Sequence, residues 1–298
     1  MELHQLRYFI AVVESGTFTA AAEAVRISQS GVSTQLQKLE RELGVSLIDR
    51  TARRVSLTPA GERLVPYARA ALAAVDDVTS AANDIRGLVT GSLRVATVAG
   101  LNWHPLFDAV AAVHTEHPGI DLRLHEGTSD ALIAETRGGT VDVAIAAWSG
   151  AAPEGVRSAV VFDDPTVAVV GTRHPWAART LIRPAEIARA ELIALPFGTG
   201  ARTALAGLLS RAGSERVTPR WEVSSPVSVQ MLASRGVGVG IVSATTAKDW
   251  DGVIAIPIAD DRARSQLGVI WQPRPTHAAA AFLDLLLPRS NPQAALPR

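Results

Sequence analysis

A long heptad stripe between Thr58 and Gly91 is the feature of this sequence that most constrains its fold. Thr58 can cap a helix, and Pro59 suits the first helical position, where a missing backbone N–H does no harm. Apolar residues then recur at alternating spacings of four and three, namely Leu64, Ala68, Ala71, Val75, Val78, Ala82 and Ile85. A single helix cannot bury such a stripe by itself. We expect residues 58–91 to form a linker helix that pairs with a second copy in a coiled coil; packing onto its own domain is the alternative.

Three shorter helices are predicted before this linker, within residues 1–57. Apolar residues at helical spacing predict a first helix that ends near Ser15, a second capped by Thr17 and a third capped by Ser28. Only Arg26 and Ile27 separate the second helix from the third, so the two must cross at a steep angle. This is the helix-turn-helix arrangement.

The third helix carries a face suited to duplex DNA. If Val32, Leu36 and Leu39 point inward, a rotation of about 100° per residue leaves the opposite side in solvent. That side and its flanks carry short polar or basic residues, namely Gln29, Ser30, Ser33, Thr34, Gln37 and Lys38, and no Asp or Glu occurs between Ala24 and Leu39. Short polar side chains let a helix enter the major groove, and glutamine can pair bidentately with adenine. We interpret these residues as DNA-binding; an ordinary solvated helix face is the alternative.

An arginine cluster follows between two short apolar segments. Val45–Ile48 and Val55–Leu57 predict a hairpin whose tip holds Arg50, Arg53 and Arg54. Beside a helix-turn-helix, a basic hairpin acts as a wing that lies along phosphates or enters the minor groove. Taken alone, the same cluster would be read as a solvated loop.

Beyond Gly91 the pattern changes to alternating strands and helices. Predicted strands are Leu93–Val98, Ile120–Leu124, Val141–Ala147, Thr166–Val170, Leu192–Leu195, Val237–Val242 and Leu267–Trp271. Predicted helices between and after them include Leu106–Thr115, Ala201–Ala212, Val227–Ser234 and Ala278–Leu287. This alternation predicts an α/β region with a largely parallel sheet.

Composition excludes several classes of function. The 298 residues contain no cysteine, which excludes a thiolate nucleophile, a zinc–thiolate site and a thiol redox switch. Basic and acidic side chains balance at 29 each, so any nucleic-acid surface must be local. The longest stretch without acidic or basic side chains, Val95–Phe107, is shorter than the roughly 20 apolar residues that span a membrane. We expect a soluble, cytoplasmic protein with no catalytic constellation, metal or cofactor.

The chain resembles the LysR-type transcriptional regulators in several collinear segments. The dense matches are Met1–Phe9, Phe18–Glu23, Ile27–Ser33, Leu39–Gly44 and Leu57–Gly61, followed by looser ones at Val141–Ile145, His174-Pro175 and Gly236–Gly240. The resemblance is strong over residues 1–65 and moderate behind them. Ser30, Thr34 and Ser243 depart from residues that are frequent in the family, so an operator sequence does not carry over.

The resemblance implies the whole architecture. A winged helix-turn-helix (residues 1–57) and a dimerising linker helix (58–91) would precede a two-lobed, periplasmic-binding-protein-like α/β effector domain (92–298). Lobe I would comprise residues 92–162 and 266–298, and lobe II residues 163–265. The implied partners are double-stranded promoter DNA, a second copy of the chain with dimers pairing into tetramers, a small-molecule effector in the cleft between the lobes, and RNA polymerase.

The α/β pattern also suggests where an effector binds. Ligands of such folds lie beyond the carboxyl ends of strands, near helix N-termini. The candidates at these positions are Thr97, Asn102, Trp103, Thr128, Ser129, Trp148, Phe197, Thr199 and Arg202. Arg202 could hold a carboxylate or pair with a surface acid. Two other functions stay open: an α/β enzyme with an N-terminal DNA-tethering module, and a solute receptor of the transport type.

Overall fold

The computed structural model describes residues 1–49, 55–85 and 90–287. Its helices are α1 (Leu3–Ser15), α2 (Phe18–Ala24), α3 (Gln29–Leu43), α4 (Pro59–Ile85), α5 (His104–Glu116), α6 (Ser129–Arg137), α7 (Pro184–Ile187), α8 (Gly200–Arg211), α9 (Pro226–Ser234), α10 (Ala244–Ala247) and α11 (His277–Leu286). Its strands are β1 (Ile48–Asp49), β2 (Ser56–Leu57), β3 (Thr90–Val98), β4 (Gly119–Gly127), β5 (Val143–Trp148), β6 (Arg157–Gly171), β7 (Leu192–Ala194), β8 (Trp221–Glu222), β9 (Val239–Ser243), β10 (Val253–Pro257) and β11 (Arg264–Trp271). The predicted fold class, a helix-turn-helix domain with a hairpin, a long helix and a two-lobed α/β domain, is confirmed.

The N-terminal domain packs α1, α2 and α3 with the β1–β2 hairpin around one core. Val32, Leu36 and Leu39 of α3 are fully buried there, as predicted from their spacing. The side chain of Thr17 caps α2, and Ser28 caps α3 by accepting a hydrogen bond of 3.1 Å from the Gly31 N–H. These caps satisfy backbone donors that a helix start leaves free, and they fix the steep turn between α2 and α3.

The long helix α4 packs its first half onto the N-terminal core. The Thr58 hydroxyl caps it, accepting a hydrogen bond of 3.0 Å from the Gly61 N–H. Val65 and Ala68 are buried against the N-terminal core, whereas Val78, further along the same stripe as Ala68, is 71% exposed. Part of the predicted stripe therefore packs onto its own domain, and the exposed part is left for another surface. Pairing with a second copy stays a prediction.

The C-terminal domain is built on one large mixed sheet. Its strand order is β4-β3-β5-β11-β6-β9-β7-β8, with β10 added beside β6. Parallel pairs lie at the two ends, β4-β3-β5 in lobe I and β9-β7-β8 in lobe II. The expectation of a largely parallel sheet is wrong, because β6 and β11 run antiparallel to each other and to their neighbours. These two strands pass between the lobes, which requires one chain segment in each direction.

Each lobe has its own core. In lobe I, α5 and α11 cover one face of the sheet, where Phe282 of α11 packs with Leu93 and Val143, and α6 covers the other face. In lobe II, α8 packs on one face over Ile241, and α9 packs on the other. Among the described residues, no helix combines the length and hydrophobicity needed to cross a bilayer.

Candidate functional site

The outward side of α3 matches the predicted DNA-binding face. Gln29, Ser30, Thr34, Gln37 and Lys38 are exposed, and Ser33 is half-buried at the edge of the helix–helix contact. Arg41 extends this side and donates a hydrogen bond of 3.3 Å from its Nε to the Gln37 carbonyl. The helix thus presents amide, hydroxyl and basic groups together on one surface.

The first acidic residue of α3 is turned away from this surface. Oε1 of Glu40 accepts hydrogen bonds from the backbone N–H groups of Leu47 (2.8 Å) and Ile48 (3.2 Å). Its carboxylate therefore fixes the start of the hairpin instead of facing an incoming phosphate. The acid-free side of α3 therefore reaches Arg41, and the first exposed acidic residue of this helix is Glu42.

A shallow depression of about 340 Å³ adjoins the N-terminal half of this face. Ser30 and Thr34 line it together with His4, Tyr8 and Gln35, and the His4 Nε2 lies 3.3 Å from the Gln35 side-chain oxygen. Sequence reasoning missed these last three residues. His4 and Tyr8 lie on α1, whose sequence pattern indicates only a helix that supports the core, and Gln35 is half-buried on α3.

The wing arginines Arg50, Arg53 and Arg54 lie outside the described residues. The strands on either side of them pair as predicted, with Ile48 opposite Leu57 and Asp49 opposite Ser56. A hairpin beside α3 is thus present.

The two lobes of the C-terminal domain contact each other at two places. On one side, the Asp130 N–H at the start of α6 donates a hydrogen bond of 3.0 Å to the Gly198 carbonyl of lobe II. On the other side, Gly100 approaches Pro226 so closely that a Cβ there would lie 3.2 Å from the proline ring. Gly100 has a φ of +72°, which also favours glycine.

Between these contacts the helices α5, α6, α8 and α9 all begin. Ser129 at the start of α6 accepts a hydrogen bond of 3.0 Å from the Ala147 N–H. Gly200 at the start of α8 packs against Ala147, and a Cβ at this glycine would lie 2.7 Å from the Ala147 Cβ. The structure therefore brings Thr128, Ser129 and Thr199 together, since Gly198 also lies beside the Thr128 hydroxyl.

Thr97 is the next-to-last residue of β3. Its side chain is 1% exposed, and its hydroxyl has no hydrogen-bond partner within the part of the chain that the structure describes. A buried hydroxyl without a partner is costly, so Thr97 marks a position where a polar group is missing.

Two predicted cleft residues do not share one cavity. Trp148 is buried beneath α6 with Ala144 and Ala146, while Trp103 packs on the opposite face of the sheet, 6.4 Å from the Phe162 ring centre. Side chains along a strand point alternately to its two faces, and Trp148 points to the same face as Ala144 and Ala146, which α6 covers. Trp103 and Trp148, both candidates for the effector site, therefore lie on opposite faces of the sheet. Trp103 instead lines a groove of about 630 Å³ between α5 and α11.

The other candidates lie on the loops before α5 and α8 or in the first turn of α8. Asn102 is exposed on the loop before α5, and Phe197 is 70% exposed on the loop before α8. The Arg202 guanidinium carbon lies 4.1 Å from the centre of the Phe197 ring. Arg202 is 5% exposed and forms no ion pair with any described residue, so the interpretation as a surface ion-pair partner does not hold. Burial lowers the pKa of Arg202, and the charge of Glu222 opposes this shift.

No group of three or more His, Asp or Glu side chains within residues 1–49, 55–85 and 90–287 is arranged to hold a metal ion.

Comparison with known proteins assigns both domains to one family. The family described as "Bacterial regulatory helix-turn-helix protein, lysR family" matches residues 3–62, and "LysR substrate binding domain" matches residues 86–291. The chain is 28% identical over 276 residues to the DNA-binding transcriptional dual regulator OxyR of Escherichia coli, covering 92% of this chain and 90% of that protein. It is 30% identical over 285 residues to the HTH-type transcriptional regulator YnfL of Escherichia coli, covering 94% and 95%.

Solved structures show the same arrangement of domains. A cysteine variant of full-length OxyR from Pseudomonas aeruginosa superposes with a TM-score of 0.70 at 24% identity, covering 96% of this chain and 93% of that one. Full-length CbnR in complex with its target DNA superposes with a TM-score of 0.54 at 25% identity, covering 96% and 99%.

Proposed function

The chain belongs to the LysR family of DNA-binding transcriptional regulators with an effector-binding domain, and we propose that it changes its promoter binding when a small molecule occupies the cleft between its lobes. It is a regulator and not an enzyme, in keeping with the relatives named above. The working division is a reading head of residues 1–57, a linker helix of residues 58–91 and an effector domain of residues 92–298.

The proposed DNA contacts follow from the outward side of α3. Gln29, Ser30, Ser33, Thr34, Gln37 and Lys38 enter the major groove, and Arg50, Arg53 and Arg54 contact phosphates or the minor groove beside it. The observation that carries this assignment is the acid-free face of α3, with the Glu40 carboxylate held by the hairpin N–H groups. CbnR, a structural relative, has been solved with its target DNA.

The proposed assembly is a homodimer through the free face of α4, with dimers pairing into tetramers. Val78 and Tyr67 on that face are 71% and 73% exposed in the single chain, more than an apolar helix stripe tolerates in water. Two reading heads then meet two half-sites of an imperfect dyad in promoter DNA. Action at a promoter also implies contact with RNA polymerase and a cytoplasmic location.

The proposed effector site is the cleft between the two inter-lobe contacts. Thr97, Asn102, Thr128, Ser129 and Thr199 supply hydrogen-bonding groups, and Phe197 and Arg202 lie at its lobe II edge. Trp103 and Trp148 support lobe I from its two faces, so that their emission reports changes in the lobe. A ligand acts on DNA binding only through its different affinity for two arrangements of the lobes.

The proposed signal is not oxidation of a thiol. Several relatives are named hydrogen peroxide-inducible genes activators, and structures of cysteine variants of OxyR have been solved. The 298 residues of this chain contain no cysteine. The chain shares a fold with these relatives, but its signal cannot depend on the oxidation of a cysteine; we propose that it binds its effector non-covalently.

A selection of genomic DNA fragments by the purified full-length chain tests the function. We expect enrichment of fragments that share an imperfect dyad, with footprints on both half-sites and affinity that falls steeply with salt. Equal binding to all fragments at low ionic strength would contradict the proposal.

A further inference from the structure

Arg202 is a buried cation that forms no ion pair with any acidic side chain of the described residues. Its side chain is 5% exposed, and its Nε has no hydrogen-bond partner among the described residues. The half-buried arginines among the described residues are all paired: Arg69 with Glu14 at 3.1 Å, Arg94 with Asp142 at 2.8 Å, and Arg264 with Asp163 at 2.9 Å. An unpaired buried charge destabilises a fold, so its presence calls for a partner that is not part of the chain.

The surroundings of Arg202 place it at the effector cleft. It lies in the first turn of α8, whose first residue Gly200 packs against Ala147 of lobe I. Its guanidinium lies against the ring of Phe197, a large apolar side chain that is mostly exposed to solvent. Because the Phe197 ring is mostly exposed, a ligand can stack on it or displace it and reach the Arg202 guanidinium.

Helix ends add to the positive character of the cleft. The starts of α5, α6, α8 and α9 lie between the two inter-lobe contacts, and helix N-termini attract anions. Side chains cap α8 and α9, whereas α5 and α6 lack a side-chain cap hydrogen bond. The Asp130 N–H of α6 is already bound to the Gly198 carbonyl, and α5 has a proline in its first turn, so these helix starts contribute positive potential more than free donors.

Two carboxylates lie near this site. Asp130 is in the first turn of α6, beside Gly198, and Glu222 ends β8 and acts on Arg202 through space. Both residues are exposed to solvent. Water screens such charges more than it screens the buried guanidinium.

We propose that the effector is a small organic anion whose carboxylate or phosphate group is bound by the Arg202 guanidinium, with the Thr97 hydroxyl as a further hydrogen-bonding group. This inference rests on the proposed function, since it names the class of molecule that the cleft takes. An arginine fork binds such groups through two parallel hydrogen bonds, which satisfies the charge that the fold leaves unpaired.

Matched pairs of probe molecules test the proposal on the full-length protein. Thermal unfolding is followed with acetate, succinate, benzoate or inorganic phosphate, and with acetamide, succinamide or benzamide, all at equal ionic strength set by NaCl. We expect at least one anion to raise Tm by about 5 °C or more at a roughly hundredfold excess over its Kd, while its amide has no effect. If no anion exceeds its amide or the NaCl control, the proposal is overturned.

Variants locate the effect. Arg202→Gln removes the charge, and we expect it to weaken binding of the stabilising anion by about tenfold or more. Arg189→Gln is the control, because Arg189 is an exposed arginine of the same lobe, and it should bind like the wild type. If Arg202→Gln does not fold, Thr97→Val serves in its place and should weaken the same anion. Unchanged anion binding in the Arg202→Gln variant, or in its Thr97→Val substitute, would overturn the assignment.

Failure here can be distinguished from failure of the proposed function. The selection of genomic fragments does not depend on Arg202. If a preferred DNA site is found and a neutral molecule changes its occupancy, the regulator stands and only the anionic class is lost. If no DNA fragment is preferred, the proposed function itself is lost.

Discussion

Nη2 of Arg69 lies 3.1 Å from Oε1 of Glu14, so that the linker helix is tied to the end of the first helix of the reading head. The same guanidinium donates a hydrogen bond of 3.2 Å from Nη1 to the Gly138 carbonyl in lobe I. Gly138 follows α6, and α6 begins at the proposed effector site. One side chain therefore contacts the reading head, the linker and the effector domain.

Replacing Arg69 by alanine should destabilise the chain more than replacing Glu14 by glutamine. Glu14 is half-exposed, and exposed ion pairs contribute about 0–1 kcal/mol. Arg69 is mostly buried, and its loss leaves the Gly138 carbonyl without this donor, at a cost of about 1–3 kcal/mol. Urea unfolding of both variants measures the difference, and equal free energies of unfolding would argue against a role for the Gly138 contact.

A charge on the free face of α4 should prevent dimerisation. Val78 is 71% exposed in the single chain, and an aspartate there would place a carboxylate inside the proposed helix pair. Sedimentation equilibrium should show a dimer or tetramer for the wild type and a monomer for V78D. Glu62→Gln, an exposed residue on the other side of the same helix, is the control and should assemble normally. An oligomeric V78D variant would place the interface elsewhere.

Arg53 and Arg54 should contribute to affinity for all DNA. Each phosphate contact adds about 0.9 to the slope of log K against log salt concentration. The double alanine variant should weaken binding to every sequence and reduce that slope by about 2 if both arginines contact phosphates. Anisotropy titrations at several salt concentrations measure it; an unchanged slope would exclude these arginines from the phosphate contacts.

Lobe II should lose stability in acid through Glu186. Hydrogen bonds from the Arg179 side chain and the Arg183 N–H hold the pKa of Glu186 at about 2, below its usual value of 4.5. A carboxyl group with a lowered pKa in the folded state stabilises the fold above pH 4.5, and this contribution is lost as the pH falls toward 2. Thermal unfolding of the wild type and of Glu186→Gln should differ at pH 7 and converge near pH 2. A difference that is constant with pH would show that Glu186 is not the titrating group.

Sequence reasoning recovered the reading head better than the effector domain. Val32, Leu36 and Leu39 are buried as predicted. A helix that packs on one core has apolar residues at helical spacing on one side only, and this spacing is visible in the sequence. Local capping by Thr58 and Ser28 was predictable for the same reason.

Features set by distant residues were not predictable. Strands β6 and β11 are antiparallel, and Asp163 lies opposite Gln266, about a hundred positions further along the chain. The sequence around either strand does not indicate this pairing. Strand β8 has two residues and no alternation to detect. Trp148 lies under α6 instead of in the cleft because both faces of β5 are covered, which makes inward and outward sides look alike in sequence.

Base discrimination by Gln29 tests the central claim, that the outward side of α3 reads DNA sequence, most directly. The measurement compares wild type and Gln29→Ala on the selected operator and on a set of its single-base variants at one salt concentration, with Glu23→Gln of α2 as the control. The account predicts that Gln29→Ala loses about 1–3 kcal/mol of discrimination at one base position while its affinity for non-specific DNA is unchanged. The claim is contradicted if Gln29→Ala keeps full discrimination at every base position. It is also contradicted if the variant loses the same affinity for specific and for non-specific DNA.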